Sequence, residues 1–143
     1  MKIRFAFAVN HANIFEMKHF READKYLIYE WVNEEFILKQ EIKNPYSDVF
    51  EEPQHGATFK KMEIINLLKE HQVNVLVSKQ FGKNIQLING EFIPVLIAAD
   101  SPKNLFPTLK RQVKWIAEEL AENFGNYKLF NLNKGALKTS IKA

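Results

Sequence analysis

Large and small side chains alternate from Ile3 to Val9, and the run gives way to Asn10-His11. That pattern predicts a central strand running into a loop. Tyr26 to Val32 and Phe36 to Ile42 are two more runs rich in β-branched and aromatic residues, separated by the polar Asn33-Glu34-Glu35. They predict an antiparallel hairpin with a tight connection. Asn44-Pro45 and Glu52-Pro53 then interrupt regular structure. From Ala57 the period lengthens. Phe59, Met62, Ile65 and Leu68 recur every three residues among Lys60, Lys61, Glu63 and Lys69, as an amphipathic helix requires. Val73 to Ser78 and Phe92 to Ile97 are short apolar strands, with Pro94 placing the second at a sheet edge or its proline near the strand start. A helix from Asn104 to Asn123 follows, with Phe106, Leu109, Val113, Ile116, Leu120 and Phe124 on one stripe and Gly125 as its stop. Pro107 fits such a helix in its first turn. Tyr127 to Leu132 has the residues of one more strand, before a lysine-spaced end expected to fray.

The order of elements, β-β-β-α-β-β-α, with a helix between the hairpin and Val73, predicts a parallel crossover and so an α/β fold with a mixed sheet. A chain of 143 residues, 46% hydrophobic with five Gly and five Pro, is able to bury one core. No stretch reaches the roughly eighteen apolar residues of a membrane span. The amino terminus also lacks the apolar run of a secretory signal, so a cytoplasmic location is the expectation.

Zero cysteines exclude disulfides, a thiolate nucleophile and any metal site built on protein thiolates. A metal would have to be held by imidazole, carboxylate or backbone groups. The four histidines, His11, His19, His55 and His71, include no pair at the spacing that puts two ligands on one helical face. His11, His19 and His55 nevertheless fall in loops at strand ends or ahead of a helix, where open α/β sheets gather ligand contacts. His71 follows a helix, where an imidazolium can meet the last carbonyls. Enzyme readings lack support: there is no Gly-x-Ser-x-Gly, phosphate-binding glycine loop, dinucleotide fingerprint or zinc-hydrolase helix motif. The first strand carries no carboxylate for a two-metal nuclease. The chain is therefore expected to be non-catalytic.

The net charge of +3 is unevenly spread: no acidic residue follows Glu122, whereas Lys128, Lys134, Lys138 and Lys142 do. Such an end suits nucleic acid or an acidic partner, or is a solvated tail. The division expected is one α/β domain over 1–125 and a basic extension over 126–143, whose strand could also pair with a neighbouring subunit as a homodimer.

The run Lys18-His19-Phe20-Arg21-Glu22-Ala23 resembles the His-Phe-Gly-x-Ala signature of the dinitrogenase iron-molybdenum cofactor-binding family. The likeness extends to the strand Ile3 to Val9, to His55-Gly56 and its helix, and to the loop Gln80-Phe81-Gly82-Lys83-Asn84, roughly the first hundred residues. Arg21 stands where the family usually has glycine, and Lys83 where it usually has proline. The resemblance implies a three-layer, ribonuclease-H-like fold with a five-stranded mixed sheet. It also implies a binding or carrier protein for an anionic iron-containing metallocluster, an iron-sulfur or iron-molybdenum-type cluster, passed between donor and acceptor proteins. On it, His19 and His55 are the metal ligands, and Gly56, Gly82 and Asn84 complete the cofactor-binding set.

The residue types fit such a role. A neutral imidazole donates a lone pair to a borderline metal. A glycine before a helix admits an anion to free N–H groups. Lys79, Lys83 and Arg21 would add positive charge at the same edge. The rival expectation is an interaction module whose loops are structural and whose basic tail engages nucleic acid or a protein.

Overall fold

Large residues on alternate positions of the first strand face one way and alanines the other. This single pattern sets the layers of the molecule. The computed structural model describes residues 2–45, 56–82, 85–133 and 137–139, with the backbone alone over 56–62 and 137–139. Its strands are β1 (Ile3–Val9), β2 (Lys25–Val32), β3 (Glu35–Lys43), β4 (Val75–Ser78), β5 (Ile93–Leu96), β6 (Leu129–Asn131) and β7 (Leu137–Thr139). The helices are α1 (Gly56–Glu70) and α2 (Pro102–Glu122). The sheet order is β3-β2-β1-β4-β5-β6-β7. β2 runs antiparallel to β1 and β3, while β4, β5 and β6 run parallel with β1 and β7 turns back.

Phe5, Phe7 and Val9 of β1 join Leu105, Leu109, Val113 and Ile116 of α2 in one core. Ala6 and Ala8 face the other way, with Ile64, Ile65 and Leu68 of α1. The two helices thus cover opposite faces. On β1 the alanines line the face under α1 and the phenylalanines the face under α2.

The chain folds as a mixed α/β sheet, but with seven strands rather than five. Both further strands come from the stretch after Gly125: β6 lies within the run Tyr127 to Leu132, where the sequence places one more strand, while β7 has no such signal. Leu137–Thr139 pairs with β6 where the sequence pattern predicts fraying. Tyr127 and Phe130 are buried in the same core as α2.

Pro94 lies in an interior strand, second from its start. Ile93 and Ile97 donate to Asn74 and Ser78 on the β4 side. The proline nitrogen therefore faces the β6 side, where pairing begins only at Val95. α2 begins at Pro102, capped by Ser101, which puts Pro107 inside the helix rather than in its first turn. Phe124 leaves the predicted stripe and is 80% exposed, because the helix ends at Glu122 and Gly125 turns the chain at φ 89.

Candidate functional site

β1, β4 and β5 all end at one edge of the sheet, and their connections part there. The loop after β1 leads to β2 on one side, while the segment after β4 leads to β5 on the other. The crevice between such diverging connections is where open α/β sheets bind ligands. Here it is bridged by His19 and Gln80, which pair as an isolated parallel bridge across the two loops.

His19 opens a short 3-10 turn, Phe20–Glu22, and its carbonyl accepts from the Glu22 N–H at 2.8 Å. Its imidazole is 34% exposed, with Nδ1 lying 3.5 Å from Glu22 Oε1. The ring rests against Gly82, whose φ is +82. A Cβ built there would lie 2.8 Å from Nδ1 and 3.0 Å from Cε1. Glycine at 82 is thus required twice over, by the backbone angle and by the ring. Phe20 is buried, stacked on Phe81 at 5.8 Å and packed on Tyr26 at 4.9 Å. It is the apolar rivet between the two loops.

Two polar side chains hold the turn from below. The buried Tyr26 hydroxyl donates to the Phe20 carbonyl at 2.9 Å, and burial pushes its pKa well up. Asn44, also buried, donates through Nδ2 to the carbonyls of Arg21 at 2.9 Å and Ala23 at 2.8 Å. Asn44 reads in sequence only as turn punctuation before Pro45. Its partners stand more than twenty residues upstream, so no local signal marks it.

Beside His19 a cleft open to solvent is lined by Ala8, Val9, Asn10, Glu16, Lys18, Ala23 and Asp24, with about 210 Å³ of space. That space takes in open solvent, so the cleft is a shallow depression that does not enclose a small molecule. Asn10 donates to Glu16 at 2.7 Å and Lys18 pairs with Glu16 at 3.1 Å. Those two contacts, the Asn10 hydrogen bond first, hold the Glu16 carboxyl below the usual range. His11 lies over Asp24 at 3.8 Å and is mostly exposed. Lys79 is paired with Asp100 at 3.5 Å. The cations expected to draw an anion are therefore partly spent on neighbours.

Among the expected site residues the structure brings His19 and Gly82 into contact. Gly56 begins α1, whose far end reaches the opposite edge of the sheet, where Arg4 Nη1 donates to the His71 carbonyl. The first turn of α1 is thus directed toward the His19 edge. His71 sits at the far edge, where its own N–H donates to Leu68 and its described hydrogen bonds are main-chain. His55, Lys83 and Asn84 lie outside the described residues. No cluster of three or more histidine, aspartate or glutamate ligands occurs among the described residues.

The fold and the edge define an α/β protein that presents His19 and a glycine loop at the ends of parallel strands. The chain belongs to the dinitrogenase iron-molybdenum cofactor family, which matches residues 1–101, from β1 to the residue before α2. It is also similar in fold to a protein of Methanocaldococcus jannaschii provisionally named a dinitrogenase. The two share 13% identity and superpose with a TM-score of 0.57 over 78% of this chain and 90% of that one. No curated protein matches the sequence. Among the described residues, no helix is long and apolar enough to cross a membrane.

Proposed function

We propose that the chain is a non-catalytic binding or carrier protein for an anionic iron-containing metallocluster, the cluster being cargo held at the His19 edge. The observation that carries this reading is the seating of His19. Gly82 fixes the ring face and Glu22 lies at Nδ1, so Nε2 is the nitrogen left to meet a metal. At 3.5 Å Glu22 is longer than a normal hydrogen bond, but it stands on the side from which a carboxylate commonly orients a ligating imidazole.

The donor set suits transient loading more than permanent tenure. There is no thiolate, and the described ligand is one imidazole beside a small cleft. His55, Gly56 and Asn84 are the flanking candidates. The helix on each sheet face supports the three-layer, ribonuclease-H-like assignment.

The test is anaerobic loading with ferrous iron and sulfide, or with isolated iron-molybdenum cofactor, followed by iron analysis. His19→Ala should lower affinity by about tenfold or more, while His71→Ala should load like the parent. Equal uptake by both variants would make His19 structural and end the carrier reading.

A further inference from the structure

The outward face of α2 has no role in the core or at the His19 edge. Lys103, Lys110, Arg111 and Lys114 are all exposed there, and among the described residues none makes an ion pair. Lys103, Lys110 and Lys114 fall on one row of the helix, seven and four residues apart, with Arg111 on the adjoining row. Trp115 stands beside Arg111, 50% exposed, with the Lys114 ammonium 5.9 Å from its ring centroid.

Of these charges Lys103 is placed against the helix. A cation in the first turn and carboxylates in the last oppose the macrodipole, yet Lys103 occupies the first and Glu119 and Glu122 the last. Glu119 is accounted for, since it is buried and accepts from Asn123 and the Lys128 N–H. The macrodipole therefore does not explain Lys103, and Lys110, Arg111 and Lys114 lie mid-helix, beyond its reach. The face also lies beyond residue 101, so the family match does not cover it.

We propose that the face from Lys103 to Trp115 is a docking surface for an acidic protein. Carboxylates of the partner meet the four cations, and an apolar hollow receives the Trp115 indole. Arginine and tryptophan are the side chains that most often anchor such contacts. Two observations favour a protein over a polyanion of phosphate. The basic row is only about 16 Å long by helical rise, and the same face then carries Glu118 and Glu122, so it suits a compact acidic patch that ends at Lys114 better than a long phosphate backbone that continues along the helix. A membrane is disfavoured because the apolar stripe of α2, Leu105, Leu109, Val113 and Ile116, is already buried. The proposal does not depend on what the His19 edge carries.

The experiment uses the full chain and follows tryptophan fluorescence during titration with poly-L-glutamate. Single- and double-stranded oligonucleotides of matched charge form parallel arms. Poly-L-glutamate should bind with an affinity that falls as salt is raised. The K110E/R111E/K114E variant should lose about tenfold or more, and a K138E/K142E tail variant should change by less than about twofold.

Lys103→Glu separates docking from folding, because it should raise the melting temperature through the macrodipole while weakening poly-L-glutamate binding. Unchanged binding by the triple variant, or no binding by the parent, overturns the proposal. So does tighter binding of an oligonucleotide on the same residues, which would make the face a nucleic-acid surface.

Discussion

Gly82 and His19 form one unit, and the cost of separating them can be stated. In Gly82→Ala the new methyl meets Nδ1 at 2.8 Å and the backbone must keep φ +82. The variant should lose more than about 1 kcal/mol of stability, and its cluster loading should fall with it, as urea melts and iron analysis would show. Asn44→Ala should cost about 2–3 kcal/mol, because the carbonyls of Arg21 and Ala23 both lose a buried donor. A loss below about 0.5 kcal/mol would place Asn44 among ordinary surface positions. His19 and Gly82 were singled out because each stands in a short motif that resembles the family's, and the structure brings the two into contact. Tyr26 and Asn44 were not, since nothing local distinguishes a side chain that is tied to a distant carbonyl.

At the scale of elements, turn chemistry explains where the chain reverses. The β2–β3 hairpin closes on Asn33 and Glu34, both at positive φ, which is the two-residue turn whose twist matches the strands. α1 stops at Gln72, φ 59, with Val73 donating to Leu68 and Gln72 to Lys69, the paired bonds of a Schellman stop normally built on glycine. Gln72→Gly should therefore stabilise the protein by about 1 kcal/mol, read as a higher melting temperature.

The long helix was legible from its stripe, and Leu109→Ala in that stripe should cost about 2–5 kcal/mol. Phe124, on the same period, should tolerate serine within about 0.5 kcal/mol, because periodicity continues on paper past the point where the helix has ended. In the shorter helix Ile65 and Leu68 are buried as predicted and Ile64 joins them, while the Phe59 and Met62 side chains lie outside the described residues.

Across the whole molecule, Arg4 ties together the edge opposite His19. Its Nε donates to the buried Glu30 at 2.9 Å, its Nη1 to His71 and its N–H to the Asn74 side chain, linking β1, β2, the end of α1 and the start of β4. The Arg4 hydrogen bond, helped by Lys39, holds the Glu30 carboxyl below its ordinary 4.5 against the opposing effect of burial. A carboxyl with a depressed folded pKa contributes stability that is fully present above 4.5 and is lost as the pH falls through the depressed value. Denaturation midpoints measured from neutral to acid pH should show this loss in the parent. Glu30→Gln should flatten that part of the profile and lower stability at neutral pH, and a profile identical to the parent's would show that Glu30 does not titrate with folding.

The sequence by itself determined the element types, the hairpin, the crossover and the absence of thiolate chemistry, because each follows from side-chain period or residue type within a short window. Only the tertiary structure decided that β7 pairs with β6 as a seventh strand, since a three-residue strand carries no period of its own and exists by pairing. It also decided that Pro94 could lie in an interior strand, which depends on where the neighbouring strand begins. The seating of His19 on Gly82 was likewise beyond the sequence: two loops sixty residues apart meet only because β1 and β4 are adjacent and parallel, and adjacency is a property of the folded sheet.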